Sequence, residues 1–175
     1  MGPLEGIKVL DFGQVGAAPF IGNILGDMGA SVIKVERLPG ESWRGGQPEG
    51  IPFEYQPTEP IDVVFWMSYN RSKRSLNIDV TQEKGREVIY KLAEDTDVVF
   101  HNFRPGVMKR LQLDYETLSK INPRIVYLNL YPYGETGPMA RWAGGDGWIQ
   151  GACGIVALQG TESGGPYFAG PAIAD

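Results

Sequence analysis

Residues 6–37 constrain the fold more than any other stretch, because they read as strand, loop, helix and strand in direct succession. A β-rich apolar run at residues 7–10 stops near Gly13, and apolar residues at helical spacing follow over residues 19–28. A second β-rich run occupies residues 31–35. We predict a βαβ unit, in which the first loop and the end of the second strand share the carboxyl edge where open α/β sheets bind ligands.

The helix of this unit carries a stripe of large apolar side chains, typical of a helix that packs by one face. The stripe consists of Phe20, Ile21, Ile24, Leu25 and Met28. Gly29 ends the helix. We interpret Gly22 and Gly26 as sites of close packing between helix and sheet.

Two interpretations of the first loop compete: a dinucleotide-binding site, and a site that binds a phosphate group. A dinucleotide-binding fold requires the pattern G-x-G-x-x-G and an acidic residue after the second strand. Glu36 is suitably placed, but the loop offers only Gly13 and Gly16, so the glycine pattern fails. Arg37 suits a phosphate better than a ribose hydroxyl, because its guanidinium presents a planar fork of donors.

β-rich and helical patterns continue to alternate after residue 60, which predicts a parallel sheet. The predicted elements are an extended segment at 61–68, a strand at 75–79, a helix at 81–94 with Val88, Ile89 and Leu92 buried, a strand at 97–100, a short helix from Pro105 to about Arg110, a helix from Asp114 to Ile121, a strand at 125–130, and a helix at 148–158 capped by Asp146 with Ile149, Cys153 and Val156 inward. We predict an α/β fold, Rossmann-like, with a mostly parallel twisted sheet and helices on both faces. One domain is expected over residues 1–175.

Residues 38–60 form a long, irregular segment rich in proline and glycine. Long ordered loops are often functional, so we interpret this segment as a lid or as an arm that wraps a partner. Its aromatic residues Trp43, Phe53 and Tyr55 weigh against disorder.

The net charge of −5 argues against a nucleic-acid or anionic-membrane surface, so an anionic ligand must meet a local basic cluster. Basic residues fall near several predicted strand ends: Arg37, Arg71, Lys73, Arg74, Arg104 and Arg110. The convergence of several of them on one edge of the sheet would suit a nucleotide with several phosphates. The single cysteine, Cys153, excludes an intramolecular disulfide framework and gives no metal-site spacing, and no apolar run is long enough to span a membrane. We therefore expect a soluble, cytoplasmic protein without a metal or redox cofactor.

Long stretches of the sequence resemble the class III CoA-transferases, the CaiB/BaiF or formyl-CoA transferase family, which also contains α-methylacyl-CoA racemases. The similar stretches are PLEGIKVLDF, GDMGASVIKVER, NRSKRSLNID, DVVFHNFRPGVMKRL, NPRIVYLNLYPYGETGP, GGDGWIQGACGIVALQG and GPYFAGPAIAD. Members of the family are longer, so the resemblance implies an N-terminal portion of a large CoA-binding domain. It also implies coenzyme A and an acyl-CoA as substrates, a carboxylic acid as partner, and an interlocked homodimer, or a heterodimer of related subunits.

The resemblance places the CoA nucleotide along the carboxyl edge of the sheet. The residues it implies as CoA-binding are Val15, Gly16, Ala17, Arg37, Ile78, Asn102, Phe103, Arg104 and Arg110. Formyl-CoA transferases carry glutamine at the place of Gly16, so oxalate and formate chemistry is not expected. Thr81 and Tyr131 stand where such enzymes can have basic residues.

Asp175 corresponds to the catalytic aspartate of this family. A carboxylate is ionised at neutral pH and can attack an acyl-CoA thioester without a general base. The resemblance implies an aspartyl anhydride, then an aspartyl-CoA thioester, and finally attack by the acceptor carboxylate. The glycine-rich loop that supplies part of the family's oxyanion site is not within residues 1–175.

The racemase branch of the family is the main alternative. Racemases pair an aspartate with a histidine in a G-H-D triplet, whereas this sequence reads Gly144-Gly145-Asp146. His101, the only histidine, is expected to border the CoA groove or to pack beside Phe103. Asp146 and Gln150 match the family's D-x-x-x-Q pattern, as substrate-side or as helix-capping residues. A second alternative is a non-catalytic CoA-binding fragment or subunit.

Overall fold

The computed structural model describes residues 2–38, 40–41, 61–169 and 173, with only the backbone described for residues 61–65. The chain divides into two compact units, Met1–Asn129 and Leu130–Asp175. Most of the predicted 38–60 arm and the predicted catalytic Asp175 therefore lie outside the described residues.

The first unit is built on a five-stranded sheet in which every neighbouring pair is parallel. Its strands are β1 (Lys8–Asp11), β2 (Ser31–Glu36), β3 (Lys73–Asn77), β4 (Val98–His101) and β5 (Val126–Asn129). They are ordered β3-β2-β1-β4-β5, so β1 lies in the centre between β2 and β4. The predicted α/β class and parallel sheet are confirmed.

Helices connect the strands, as parallel neighbours require. They are α1 (Ala17–Asp27), α2 (Ile61–Asn70), α3 (Glu83–Ala93), α4 (Val107–Arg110) and α5 (Tyr115–Ile121). Helix α1 packs against α2, and α3 packs against α5. From β1 to β3 the chain moves across the sheet in one direction, and from β3 to β5 it moves in the other. Because crossover connections between parallel strands are right-handed, the two helix pairs lie on opposite faces of the sheet.

The apolar core lies between the sheet and the α3/α5 pair. Side chains of alternate strand residues, including Leu10 and Val99, pack there against buried residues of the helices, including Ile89 and Leu118. The opposite face differs, because Asp11 and Lys34 point to it and are also fully buried. This charged layer lies beneath the candidate site described below.

The prediction of an extended segment at residues 61–68 was wrong, because this segment forms helix α2. A short apolar run does not distinguish a buried strand from a buried helix. The chain must cross over between the parallel strands β2 and β3, and a helix makes that connection. Strand β3 accordingly begins at Lys73, before the predicted start at Ser75.

Helix α1 presents small residues to the sheet, and part of its predicted apolar stripe is exposed. Phe20, Ile24 and Met28 are 48%, 46% and 39% exposed. A Cβ atom added to Gly22 would lie 2.8 Å from Asp11 Oδ2 and 2.9 Å from Lys73 Nζ. The close-packing interpretation of Gly22 is confirmed, since the helix approaches a charged pair too closely for a larger side chain.

The predictions for the later helices were partly wrong. In α3, Ile89 is buried but Val88 is 40% exposed. Asp114 occupies the N-cap of α5 as predicted, although its carboxylate accepts a hydrogen bond from the Thr117 hydroxyl at 2.5 Å instead of capping a backbone N–H.

The second unit is small and has little regular structure. It contains α6 (Asp146–Ala152), a 3₁₀ helix (Val156–Leu158) and an antiparallel pair of strands, β6 (Gly160–Thr161) and β7 (Gly165–Pro166). The predicted helix at 148–158 is therefore divided, and Cys153, predicted to face inward, is exposed. Gly145 is the N-cap of α6, so the prediction that Asp146 caps this helix was wrong. No helix within the described parts of either unit is long and apolar enough to cross a bilayer.

Candidate functional site

A pocket of about 270 Å³ opens at the carboxyl edge of the first unit's sheet. It is lined by residues 12–14, 34–38 and 78–81, together with Glu41 and Phe103. These segments follow or end the strands β1 to β4, so the pocket lies where open parallel sheets bind ligands.

Three of the predicted CoA-binding residues line this pocket: Arg37, Ile78 and Phe103. Arg37 directly follows β2, Ile78 directly follows β3, and Phe103 follows β4 with one residue between. The exposed guanidinium of Arg37 brings positive charge to the pocket, and Ile78 and Phe103 bring apolar and aromatic surface. This combination suits an anionic ligand that also has an apolar or aromatic part.

The other residues predicted for CoA do not line this pocket. Val15, Gly16 and Ala17 continue the loop that begins with the lining residues Gly13 and Gln14, and Ala17 is the first residue of α1. Asn102 follows β4 and contacts that loop. Arg104 and Arg110 have exposed side chains, before and at the end of α4.

Side chains from other elements hold the backbone of the first loop. The Gly13 N–H donates to Asp11 Oδ1 at 2.7 Å, and Lys34 Nζ donates to the Gly13 carbonyl at 2.7 Å. The Asn102 side chain accepts from the Gln14 N–H at 2.8 Å and donates to the Gln14 carbonyl at 2.9 Å. The loop therefore has a fixed backbone conformation on the pocket wall.

Two buried acids follow or end β2. Glu36 accepts hydrogen bonds from the Ser75 hydroxyl at 2.6 Å and from the Glu41 N–H at 3.3 Å. Glu41 forms an ion pair with Lys34, with 3.1 Å between Oε2 and Nζ, and its other oxygen accepts from the Val15 N–H. Glu36 therefore binds internal donors, unlike the acidic residue of a dinucleotide site, which binds a ribose.

A second buried ion pair joins Lys73 and Asp11 beneath α1, with 2.8 Å between Nζ and Oδ2. The Lys73 ammonium also donates to Asn70 Oδ1 at 3.0 Å and to the carbonyls of Pro19 and Tyr69 at 2.6 and 2.9 Å. Burial lowers the pKa of Lys73, although the Asp11 charge opposes that shift. Lys73 thus connects β3 to β1, to α1 and to the end of α2 through buried contacts.

Of the basic residues expected near strand ends, Arg71, Lys73 and Arg74 do not lie at the carboxyl edge. These residues precede or begin β3, so they lie at its amino end. Arg71 pairs with Asp27 at 2.6 Å, and Arg74 donates to the Ser31 hydroxyl at 2.8 Å. In a parallel sheet, a residue before a strand lies at the amino edge and a residue after it lies at the carboxyl edge.

His101 ends β4 and is 1% exposed. Burial lowers its pKa from 6.5 to about 4, although a hydrogen bond with Asn129 opposes the shift, so the imidazole is neutral near pH 7. Its Nδ1 accepts from the Phe103 N–H at 3.1 Å, and the two rings stack with centroids 5.8 Å apart. The prediction that His101 packs beside Phe103 is confirmed, and this packing orients a residue of the pocket.

Asp79 and Thr81 also line the pocket, and sequence reasoning gave them no contact with each other. Asp79 Oδ1 accepts from the Thr81 hydroxyl at 2.6 Å and from its N–H at 2.9 Å. These bonds, the hydroxyl first, lower the pKa of the Asp79 carboxyl. The turn that leads from β3 to α3 is thereby fixed with Thr81, not a basic residue, at the pocket.

Asp146 and Gln150 are joined in the second unit. Gln150 is fully buried, and its Nε2 donates to Asp146 Oδ2 at 2.5 Å and to the Ala169 carbonyl at 3.1 Å. Its Oε1 accepts from the Ala169 N–H at 2.8 Å. Gln150 therefore anchors the segment that leads toward Asp175. Tyr131 lies in the same unit, where burial, with the charge of Glu135, raises its pKa.

Sequence reasoning missed the roles of Lys34 and Glu41. A signal for Lys34 was present, because it is a charged residue within the apolar strand sequence SVIKVE. Both faces of a parallel sheet are usually covered, so such a lysine must be buried and paired. Its partner Glu41 could not be identified, since no periodic pattern connects the two. Among the described residues, no group of three or more His, Cys, Asp or Glu side chains is arranged to hold a metal ion.

Comparisons with known proteins show which family the chain is similar to. The family model described as CoA-transferase family III matches residues 4–175. The succinate–glutarate CoA-transferase of Agrobacterium fabrum is 37% identical over 178 residues, which cover 99% of this chain and 43% of that protein. The human succinyl-CoA:glutarate CoA-transferase is 37% identical over 174 residues, covering 99% of this chain and 38% of that protein. The chain thus spans less than half the length of these relatives.

Solved structures of similar proteins have the same fold. The crystal structure of the hypothetical protein Rv3272 from Mycobacterium tuberculosis superimposes with a TM-score of 0.86 at 35% identity, over 99% of this chain and 46% of that one. A CaiB/BaiF family protein from Brucella suis gives a TM-score of 0.85 at 38% identity, over 98% of this chain and 44% of that one.

Proposed function

Because the chain belongs to CoA-transferase family III, we propose that the protein carrying it moves CoA from an acyl-CoA thioester to a carboxylic acid. The observation that supports this most strongly is the pocket at the carboxyl edge, where Arg37, Ile78 and Phe103 come together within the matched region. We further propose that the whole protein is longer than residues 1–175 and that this chain forms the N-terminal, CoA-binding part of its large domain.

We propose that the nucleotide of CoA binds along this edge. The Arg37 guanidinium would pair with phosphate oxygens, and the apolar surface of Ile78 and Phe103 would contact the adenine ring. Val15, Gly16 and Ala17, with the Asn102 side chain beside the loop, would follow the pantetheine arm. Arg104 and Arg110, both exposed, would add positive charge for the remaining phosphate groups.

The proposed reaction begins with attack of the Asp175 carboxylate on the thioester carbonyl carbon. The carbon–sulfur bond breaks, which leaves an aspartyl anhydride and CoA thiolate. The thiolate then attacks the aspartyl carbonyl, which releases the donor acid as its carboxylate and forms an aspartyl-CoA thioester. An acceptor carboxylate attacks the carbonyl carbon of this thioester, the carbon–sulfur bond breaks, and CoA thiolate and a second anhydride result. Thiolate attack on its acyl carbon releases the new acyl-CoA and restores Asp175.

We propose small dicarboxylic acids as substrates. The relatives are named for succinate and glutarate, and a Chloroflexus aurantiacus protein at 37% identity is named as the beta subunit of a succinyl-CoA:L-malate CoA-transferase. Glycine at position 16 leaves more room than the glutamine of formyl-CoA transferases, which also favours acids larger than oxalate or formate.

A dimer in the cytoplasm completes the proposal. The protein would act as an interlocked homodimer, or as one subunit of a related pair, which the name of the Chloroflexus relative favours. Multi-angle light scattering of the purified protein, alone and mixed with any related subunit encoded beside it, distinguishes the two assemblies.

The test is a transfer assay on the full-length protein with succinyl-CoA and glutarate, analysed by chromatography of the CoA esters. Formation of glutaryl-CoA supports the proposal. Exchange of the α-proton of a 2-methylacyl-CoA into deuterated water without transfer would identify the racemase alternative, for which Gly145 replaces the required histidine. Tight CoA binding without either reaction would identify a non-catalytic subunit.

A further inference from the structure

We infer that Glu41 is a positioning residue, which holds the first loop in its CoA-binding conformation through the Val15 N–H and the Lys34 ammonium. The inference rests on the proposed function, because it concerns the shape of the same pocket. Nothing in the sequence pattern or in the comparisons assigns this role.

The conformation of Val15 requires such a restraint. Its φ angle is +64°, in the left-handed region that β-branched residues avoid. A valine remains there only when the surrounding structure determines its conformation, and residues of this kind cluster at ligand sites. The hydrogen bond from the Val15 N–H to Glu41 Oε1 supplies the contact at the strained residue itself.

Glu41 also completes a set of contacts that fixes the loop residue by residue. Asp11 and Lys34 hold Gly13, Asn102 holds both polar backbone groups of Gln14, and Glu41 holds Val15. The Lys34 and Glu41 side chains are only 2% and 5% exposed. Their ion pair therefore links the side chain that holds Gly13 to the side chain that holds Val15, in a largely water-free environment.

The position of Glu41 makes this contact relevant to binding. Glu41, Lys34, Gly13 and Gln14 all line the pocket that also contains Arg37. The Glu41 N–H donates to Glu36 Oε1, which fixes the chain just after Arg37. A substitution of the Glu41 side chain leaves this backbone hydrogen bond in place, so its effect on the pocket should come through the first loop.

The test compares CoA binding by the full-length protein and its variants with isothermal titration calorimetry. Glu41→Leu removes both contacts, and we expect CoA affinity to fall by about tenfold or more. Glu41→Gln keeps an acceptor for the Val15 N–H but removes the charge opposite Lys34, so an intermediate loss is expected. Asp27→Asn is the matched control, because its ion pair with Arg71 lies at the amino end of β3.

Hydrogen exchange and kinetics separate positioning from general stability. In Glu41→Leu the Val15 amide should lose protection while amides of β4 keep theirs, and KM for acyl-CoA should rise more than kcat falls. CoA affinity within twofold of the unaltered protein in both Glu41 variants would overturn the inference. Absence of CoA binding by the unaltered protein would instead refute the proposed function, while Val15 exchange still tests the contact itself.

Discussion

Replacing Asp11 by asparagine should destabilise the first unit by about 3 kcal/mol, because it leaves the Lys73 ammonium buried without its counter-ion. Asp11 is fully buried, and the Lys73 side chain is 2% exposed. The carboxylate now serves two donors, with Oδ1 bound to the Gly13 N–H and Oδ2 to Lys73. Asparagine has only one acceptor oxygen, so one of these donors must face an amide N–H.

The magnitude follows from what remains around the ammonium. Removal of one partner of a buried ion pair typically costs about 3–5 kcal/mol. Lys73 keeps three neutral acceptors within 3.0 Å, namely Pro19 O, Tyr69 O and Asn70 Oδ1, which favours the lower end of that range. The double variant Asp11→Asn, Lys73→Met should lose less than the sum of the two single variants, because no buried ammonium then remains.

The pH dependence gives the prediction a second readout. Burial already lowers the pKa of Lys73 below 10.5, and loss of the Asp11 charge should lower it further. The unfolded chain then binds more protons than the folded one in the alkaline range below 10.5. Stability of Asp11→Asn should therefore recover as the pH rises toward that value, and the loss should be fully present at lower pH.

The assay is urea unfolding followed by circular dichroism, at one pH near neutrality and at one alkaline pH below 10.5, with Asp27→Asn as control. The Asp27–Arg71 pair is largely exposed, so its loss should leave the midpoint nearly unchanged. A loss of less than about 1 kcal/mol for Asp11→Asn, or the same loss at both pH values, would refute the reasoning about the buried pair.

Three further predictions concern Arg37 at the pocket, His101 at the end of β4, and Gln150 in the second unit. Arg37→Met should raise KM for acyl-CoA about tenfold with a smaller change in kcat in steady-state kinetics, because a charge-assisted phosphate contact is lost; an unchanged KM would exclude Arg37 from the site. His101 has a folded pKa of about 4 against 6.5, so stability should fall as the pH drops from 6.5 toward 4, and His101→Gln should reduce that slope in thermal unfolding; an unchanged slope would contradict the pKa. Gln150→Ala should speed proteolysis near Ala169, whose two backbone groups lose their partner, whereas unchanged cleavage would show that Gln150 is not the anchor.

The sequence predicted the parallel sheet, and the edge where the pocket lies, because both follow from local patterns. A βαβ unit at residues 6–37 requires parallel strands, and the later alternation of strands and helices extends the same sheet. The segment after β4 was placed correctly, so Phe103 was expected at the edge where the pocket lies.

Residues whose roles depend on distant partners were not predicted. Glu41 pairs with Lys34 only because the chain folds back after β2, and Lys73 reaches Asp11 across 62 residues of sequence. The same charged layer explains the error in α1. Periodicity locates an apolar stripe on a helix but does not show which face approaches the sheet, and here a buried ion pair required Gly22 instead of a large side chain.

The prediction of an extended segment at residues 61–68 failed for a different reason. An eight-residue run with six apolar or aromatic positions fits a buried strand as well as a buried helix, and only the parallel pairing of β2 with β3 distinguishes them. Topology, which is a property of the whole sheet, decides between the two.

We propose that CoA bound at the sheet edge is transferred through a covalent bond to Asp175. Mass spectrometry of the full-length protein after incubation with acyl-CoA and hydroxylamine tests it most directly, since hydroxylamine cleaves an aspartyl anhydride or thioester to a hydroxamate. We predict an aspartyl hydroxamate at Asp175 that requires acyl-CoA and is absent when CoA alone is supplied. Continued transfer of CoA to the acceptor acid, with Asp175 unmodified under the same conditions, would contradict the claim.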